Sequence, residues 1–267
     1  MNGLKERQRM SRLRTENITV SFDGNTVIED ITIKLNKGEI VGLLGASGAG
    51  KTTLFNVISG LIVPDTGKVF MEQEGVTQID MPETDITGQS GHISYMLQKD
   101  LLLPFKTVVD NVALPLVIKG MKDKEAREKA SSYFEEFGLK GYEKLYPDQL
   151  SGGMRQRAAL LRTYLFSNEV ALLDEPFSAL DTITKSEMHR WYLDVMEQIK
   201  LSTIFITHDI DEAILLSDRI YLMTGKPGRI TNEIIIDVPK PRGKEFIVSE
   251  EFINYKKRIM EALEPSQ

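Results

Sequence analysis

Residues 45–52 read Gly45-Ala46-Ser47-Gly48-Ala49-Gly50-Lys51-Thr52, and their reading decides the fold. The run matches G-x-x-x-x-G-K-[ST], a pattern that carries weight only between a strand and a helix. Upstream, Glu39-Ile40-Val41-Gly42-Leu43-Leu44 is a short apolar strand; downstream, Lys51 to Ser59 has a helical pattern that stops at Gly60. Without Cβ atoms, Gly45, Gly48 and Gly50 let the backbone curl so that successive N–H groups point at phosphate oxygens, helped by the helix N-terminus. Lys51 brings a positive charge to the outer phosphates, and the Thr52 hydroxyl is placed to coordinate Mg2+. Ala46, Ser47, Ala49 and Thr53 complete the phosphate-binding set. Such a loop would serve a kinase, a GTPase or a transport ATPase equally well, so residues outside it must choose.

Val170-Ala171-Leu172-Leu173 is a buried-strand run ending in Asp174-Glu175, which puts two adjacent carboxylates at the sheet edge where open α/β sheets bind ligands. In isolation the pair would equally cap a helix. Beside a phosphate loop the work divides: Asp174 holds Mg2+, and Glu175 orients and deprotonates the attacking water. His208 follows the strand Thr203 to Thr207 and would reach the γ-phosphate from a neighbouring strand.

Leu150-Ser151-Gly152-Gly153-Met154 places a serine and two glycines immediately before a helical run, offering a hydroxyl, backbone N–H groups and a helix dipole to a phosphate. Taken with the loop at 45–52, Asp174-Glu175 and His208, in this order along the chain, it makes the sequence resemble the ATP-binding cassette (ABC) ATPases over nearly all of Ile18 to Ile230. The resemblance implies that Ser151, Gly152 and Gly153 close on the γ-phosphate held by the phosphate loop of a second copy. Two ATP molecules would then be sandwiched in a head-to-tail homodimer. It further implies that Gln98, in Tyr95-Met96-Leu97-Gln98, reaches Mg2+ and water and senses a membrane subunit. Asp181, in Ser178-Ala179-Leu180-Asp181, would link the two sites, His208 would be the switch histidine, and Phe22 would stack on adenine where the family usually has tyrosine. A core role for the Phe22 ring is the competing reading.

Leu101-Leu102-Leu103-Pro104-Phe105, Asp110 to Leu114, Met154 and Pro227-Gly228-Arg229-Ile230 look like the nitrate, sulfonate and taurine importer group, with thiamine-pyrimidine precursor ATPases as close relatives. That resemblance implies a cytoplasmic motor at the inner face of the membrane, working with a polytopic permease and, through it, an extracellular solute-binding protein. Arg162, in Leu161-Arg162-Thr163-Tyr164, departs from the small-residue run common after the signature, and Met154 replaces a frequent glutamine. A P-loop kinase would leave Ser151 to Gly153, Asp181 and His208 without a task. A soluble, non-transport ABC ATPase, typically marked by tandem cassettes, a long coiled coil or basic extensions, is the remaining rival.

The expected fold is an α/β P-loop cassette: a mostly parallel central sheet, an antiparallel start around Asp23-Gly24-Asn25, and a helical insertion over about 101–165, in which Asp123 to Phe137 reads as helix. The expected boundaries are a charged, solvated lead-in over 1–17, the cassette over 18–240, and a tail over 241–267 in which Glu250 to Leu263 reads as a packing helix. With 267 residues, 41% hydrophobic and 27% charged, the chain can bury a substantial core. Its net charge of −6 argues against nucleic acid as the main partner, since neutralising phosphates needs a basic face. Zero cysteines exclude disulfides and thiolate chemistry. The start lacks the apolar stretch of a secretory signal, and the best apolar run, Val112 to Ile118, falls far short of the roughly 20 residues that span a bilayer.

Overall fold

The strand alternation that is plain from Ile18 begins earlier. In the computed structural model, which describes residues 11–72, 83–167 and 169–264, strand β1 spans Ser11–Phe22 and buries Leu13, Thr15, Ile18 and Val20. Residues 11–17 therefore belong to the sheet and not to the solvated lead-in expected over 1–17; the remainder of that lead-in, residues 1–10, lies outside the described residues. The charges that suggested solvent are paired: Arg12 meets Glu72 and Glu169, and Arg14 meets Glu16 on its own strand and Glu83. At the far end of β1, Asp23 and Gly24 both take left-handed backbone (φ 50° and 77°), the geometry of a two-residue hairpin turn that matches strand twist. The chain returns as β2 (Asn25–Ile31), and β3 (Lys34–Asn36), β5 (Thr66–Glu72) and β6 (Glu83–Asp85) complete an antiparallel sheet of order β2-β1-β5-β6 with β3 on β1.

The second sheet runs β11 (Arg229–Ile235), β10 (Arg219–Thr224), β4 (Ile40–Leu44), β9 (Ser202–Thr207), β8 (Val170–Asp174), β7 (Ser94–Met96). All its pairings are parallel except that of β11 with β10. β4, β8 and β9 are buried along their whole length, which is why they read as unbroken apolar runs: strands covered on both faces have no polar side to alternate with. Their carboxyl ends lie side by side, so the phosphate loop after β4, Asp174-Glu175 at the end of β8 and His208 after β9 are delivered to one edge. Gln98, two residues after β7, joins them.

Helix α1 (Lys51–Ile58) is packed between the sheets, where Leu54, Phe55, Val57 and Ile58 share a core with Ile28 and Ile31 of β2 and Val41 and Leu43 of β4. The helical section contains α2 (Val108–Ile118), α3 (Asp123–Ser131) and α4 (Gly152–Phe166). The helix expected over Asp123 to Phe137 ends at Ser131 and continues as turns to Gly138, whose φ of 65° suits glycine. α5 (Thr182–Ile199), α6 (Ile210–Leu216), α7 (Lys244–Ile247) and α8 (Glu250–Leu263) follow. α8 is an amphipathic packing helix: Phe252, Tyr255 and Ile259 join Ala213 and Ile214 of α6 and Leu222 of β10 in a third core. The last three residues of the tail lie outside the described residues. Among the described residues no helix is long and apolar enough to cross a membrane.

Candidate active site

The phosphate loop is tight at Gly45 and Gly50, which leave no room for a Cβ. A Cβ on Gly45 would sit 2.2 Å from the Met223 carbonyl oxygen, and one on Gly50, where φ is 93°, would sit 2.3 Å from Ile28 Cγ2. Gly50 caps α1 but has no side chain to accept the first N–H groups, and the first turn carries no carboxylate. The helix N-terminus, with its unsatisfied donors and partial positive charge, is thereby left to an external anion. Lys51 Nζ folds back onto the carbonyls of Gly45 (2.7 Å) and Ala46 (2.9 Å). Burial lowers its pKa, opposed by the nearby charges of Glu175 and Asp174.

Asp174 is buried at the end of β8, and its Oδ2 accepts hydrogen bonds from Thr52 Oγ1 (3.2 Å) and Tyr95 OH (3.4 Å). Burial, and behind it the charge of Glu175, raises the Asp174 pKa against the lowering effect of the Thr52 hydrogen bond. Glu175 sits in left-handed backbone (φ 46°), a conformation that costs a non-glycine residue on the order of 1–3 kcal/mol and that collects at functional sites. The Glu175 N–H is held by the Ile206 carbonyl (3.1 Å), which aims the side chain along the sheet edge. There Glu175 Oε1 is 3.1 Å from His208 Nδ1, and Oε2 accepts from Gln98 Nε2 at 3.1 Å. Ser47, Gly48, Gly50, Lys51, Thr52, Thr53, Gln98, Asp174, Glu175 and His208 line one cleft of about 650 Å³. A carboxylate held between a histidine and an amide, next to an anion cradle, has the chemistry to accept a proton from water beside a bound phosphate.

Ser151 to Gly153, Asp181 and Phe22 stand apart from that cleft. Ser151 caps α4, its Oγ accepting the Met154 N–H at 3.3 Å, and none of Ser151, Gly152 and Gly153 lines the cleft. They pack instead on the start of α5: a Cβ on Gly152 would sit 3.5 Å from Leu180 Cδ2, and one on Gly153 3.4 Å from Thr184 Cγ2. Asp181 caps α5 by accepting the N–H groups of Ile183 and Thr184, both at 3.1 Å, and remains exposed. Phe22 is 46% exposed at the end of β1, which removes the core reading.

Residues 28–178 match the family model of the ABC transporter. The chain belongs to the ABC transporter ATP-binding family. Similar curated proteins include the formylaminopyrimidine import ATP-binding protein ThiZ of Halalkalibacterium halodurans, 44% identical over 80% of this chain and 80% of that protein. The aliphatic sulfonates import ATP-binding protein SsuB of Bacillus cereus is 38% identical over 92% of this chain and 96% of its own length. Among solved structures, a dimeric bacterial ABC transporter cassette is 27% identical, covers 85% of this chain and 100% of its own, and superposes with a TM-score of 0.67. The ADP conformation of another ATP-binding cassette covers 95% of this chain and 98% of its own at a TM-score of 0.73 and 23% identity, a likeness of fold. This ABC cassette is thus an ATP-binding subunit of a transport ATPase, and the cleft described above is where its phosphate loop lies.

Three contributors to the site escaped the sequence reading of the ABC cassette. Tyr95 carries no motif role in the run before Gln98, yet its hydroxyl donates to Asp174. Gly228 exchanges backbone hydrogen bonds with β2 at Val27 and Glu29, and a Cβ there would sit 1.9 Å from the Ala49 carbonyl oxygen, so it backs the phosphate loop. Arg162, a departure from the family pattern, donates to the carbonyls of Asp100 and Leu101 and so ties α4 to the chain leaving Gln98. Sequence spacing could have flagged Gly228 as an invitation to close backbone approach, but not what approaches it.

Proposed function

We propose that the cassette hydrolyses ATP at two sites formed head to tail between two copies and drives import of a small organic solute through a polytopic permease. The observation that carries this reading is the separation within one chain: base, histidine and phosphate loop share a cleft, whereas Ser151 to Gly153 lie outside it on the start of α5. A second copy would supply them. In the assembled site the phosphate loop and α1 N-terminus bind the β- and γ-phosphates, Lys51 swings from its own loop carbonyls onto them, and Phe22 stacks on the adenine. Thr52 and Asp174 offer a hydroxyl and a carboxylate oxygen 3.2 Å apart from two elements, a hard-oxygen pair that fits Mg2+. Bound Mg2+ would neutralise charge on the phosphates. Gln98 would complete its surroundings and hold the water, Glu175 would accept the proton from that water, and His208 would donate to the γ-phosphate.

The transport side rests on an exposed apolar stretch beside Gln98. Leu97, Leu101 and Phe105 are 43%, 52% and 73% exposed, and this face would meet the permease at the cytoplasmic side of the membrane. The named importer relatives support a sulfonate-like or pyrimidine-precursor solute; a nitrate-like solute and delivery by an extracellular binding protein rest on the motif resemblance alone. The same patch disfavours a soluble, non-transport ATPase, which would have no use for it. Extraction of the tagged chain with Mg-ATP from its own membranes in mild detergent should recover one polytopic permease; recovery of soluble partners alone would overturn the transport reading and leave the ATPase intact.

A further inference from the structure

Behind His208 lies a charged cluster that the catalytic reading does not use. Lys185, one turn into α5, donates from its backbone N–H to the Asp181 carbonyl at 2.8 Å. Its Nζ pairs with Asp209 Oδ2 at 2.7 Å and Glu212 Oε2 at 2.9 Å. Asp209 is the residue after His208, and its Oδ1 caps α6 by accepting the N–H groups of Asp211 (3.0 Å) and Glu212 (3.1 Å). The Glu212 side chain is 3% exposed and also meets His189 Nε2 at 3.3 Å. Burial would raise the Glu212 pKa, but hydrogen bonds from His189 and Lys185 outweigh it and hold it below the ordinary value. His189 in turn takes the edge of the buried Phe177 ring at a centroid distance of 4.8 Å, and Phe177 stands two residues after Glu175. One lysine thus joins, through a single helical turn and a single ion pair, the segment ending at Asp181 to the backbone that carries His208.

We propose that Lys185 is a positioning residue that couples the placement of the Ser178–Asp181 segment to that of His208, so that docking of a second copy against the segment sets the histidine for hydrolysis. This rests on the reading that His208 acts in hydrolysis. A cluster made only for packing would not need to bridge these two segments; α5 and α6 already share apolar contacts through the surrounding core. Glu212 is the buried member of the cluster, its side chain 3% exposed, so truncating Lys185 removes one of its two cationic partners and leaves only His189 beside it, which makes the lysine sensitive to replacement.

The test is steady-state ATPase on four purified full-length chains: wild type, Lys185→Met, His208→Ala and the double variant, with binding of a fluorescent ATP analogue measured in parallel. Lys185→Met should lower kcat about tenfold while KM and analogue affinity stay within about twofold, because a misplaced group costs turnover and not binding. Lys185→Arg should recover most of the loss. In the His208→Ala background the same change should cost less than about twofold, the non-additivity expected of groups acting through one another. Equal losses in both backgrounds, or a fall in affinity that tracks kcat, would overturn the coupling. Normal Lys185→Met turnover beside a crippled His208→Ala chain overturns this inference alone; normal His208→Ala turnover overturns the histidine's role with it. Should Lys185→Met fail to fold, Asp209→Asn, which keeps an acceptor for the α6 cap and removes the charge, carries the same four-chain comparison.

Discussion

Gly228→Ala probes a contact that no motif announces. The added methyl would lie 1.9 Å from the Ala49 carbonyl oxygen, 3.0 Å from the Ala49 carbonyl carbon and 2.9 Å from Met223 Cε. The methionine end can turn away, but the Ala49 backbone cannot yield without moving the phosphate loop by more than about 1 Å to reach ordinary contact. Gly228 is itself pinned by hydrogen bonds with Val27 and Glu29, so the strain is shared between loop and hairpin. Overpacking of this kind costs about 1–3 kcal/mol. A loop displaced by that amount no longer presents its N–H groups to the phosphates, so ATP affinity should fall by at least about tenfold, close to 1.4 kcal/mol. Gly243→Ala is the control: nothing lies within 4 Å of a Cβ there and φ is −81°, so the change should cost no more than the weaker N-cap of the four-residue α7, about 0.5–1 kcal/mol, with ATP affinity unchanged. Chemical denaturation and equilibrium titration with a fluorescent ATP analogue read both quantities. Wild-type affinity in Gly228→Ala, with stability equal to that of Gly243→Ala, would refute the argument that Gly228 sets the loop's position.

Phe22→Ala should weaken ATP binding by about 1–3 kcal/mol, the worth of an aromatic platform under a base, with stability unchanged because the ring is exposed; calorimetric titration checks it. Glu212→Gln should cost about 1–3 kcal/mol at neutral pH by weakening a buried charged hydrogen bond. Since the folded carboxyl lies below its ordinary 4.5, its contribution is present above 4.5 and lost as pH falls through the lowered folded value. The stability gap between the two chains, followed by denaturation at a series of pH values, should therefore hold at neutral pH and begin to close only below 4.5.

Much of the fold was legible because three strands, at 40–44, 170–174 and 202–207, are buried on both faces and advertise themselves as continuous apolar runs. The motifs then located the sheet edge on which the phosphate loop, Asp174-Glu175 and His208 converge. What stayed hidden has more than one physical cause, the first being charge that is paired inside the fold and not exposed to solvent. Arg12 is buried against Glu72 and Glu169, which concealed the first half of β1. Lys185, Asp209 and Glu212 belong to no sequence motif, and their pairing exists only because the fold places α5 beside α6. β11 is an edge strand whose Asn232 and Glu233 face outward, so its apolar signal was too sparse to separate from a loop. Tyr95 and Gly228 act through partners 79 and 179 residues away in sequence, Asp174 and Ala49, a reach that no local pattern encodes.

The central claim, that Glu175 is the base of a site completed by a second copy, is tested most directly by the molar mass of Glu175→Gln in Mg-ATP, measured by light scattering with released phosphate assayed in the same sample. An amide cannot accept the proton, so turnover should fall by about 10²–10⁴-fold while ATP stays bound. The account predicts a species of twice the 30.2 kDa of one chain, holding unhydrolysed ATP. A monomer with ATP bound, or a chain releasing phosphate at the wild-type rate, would contradict it.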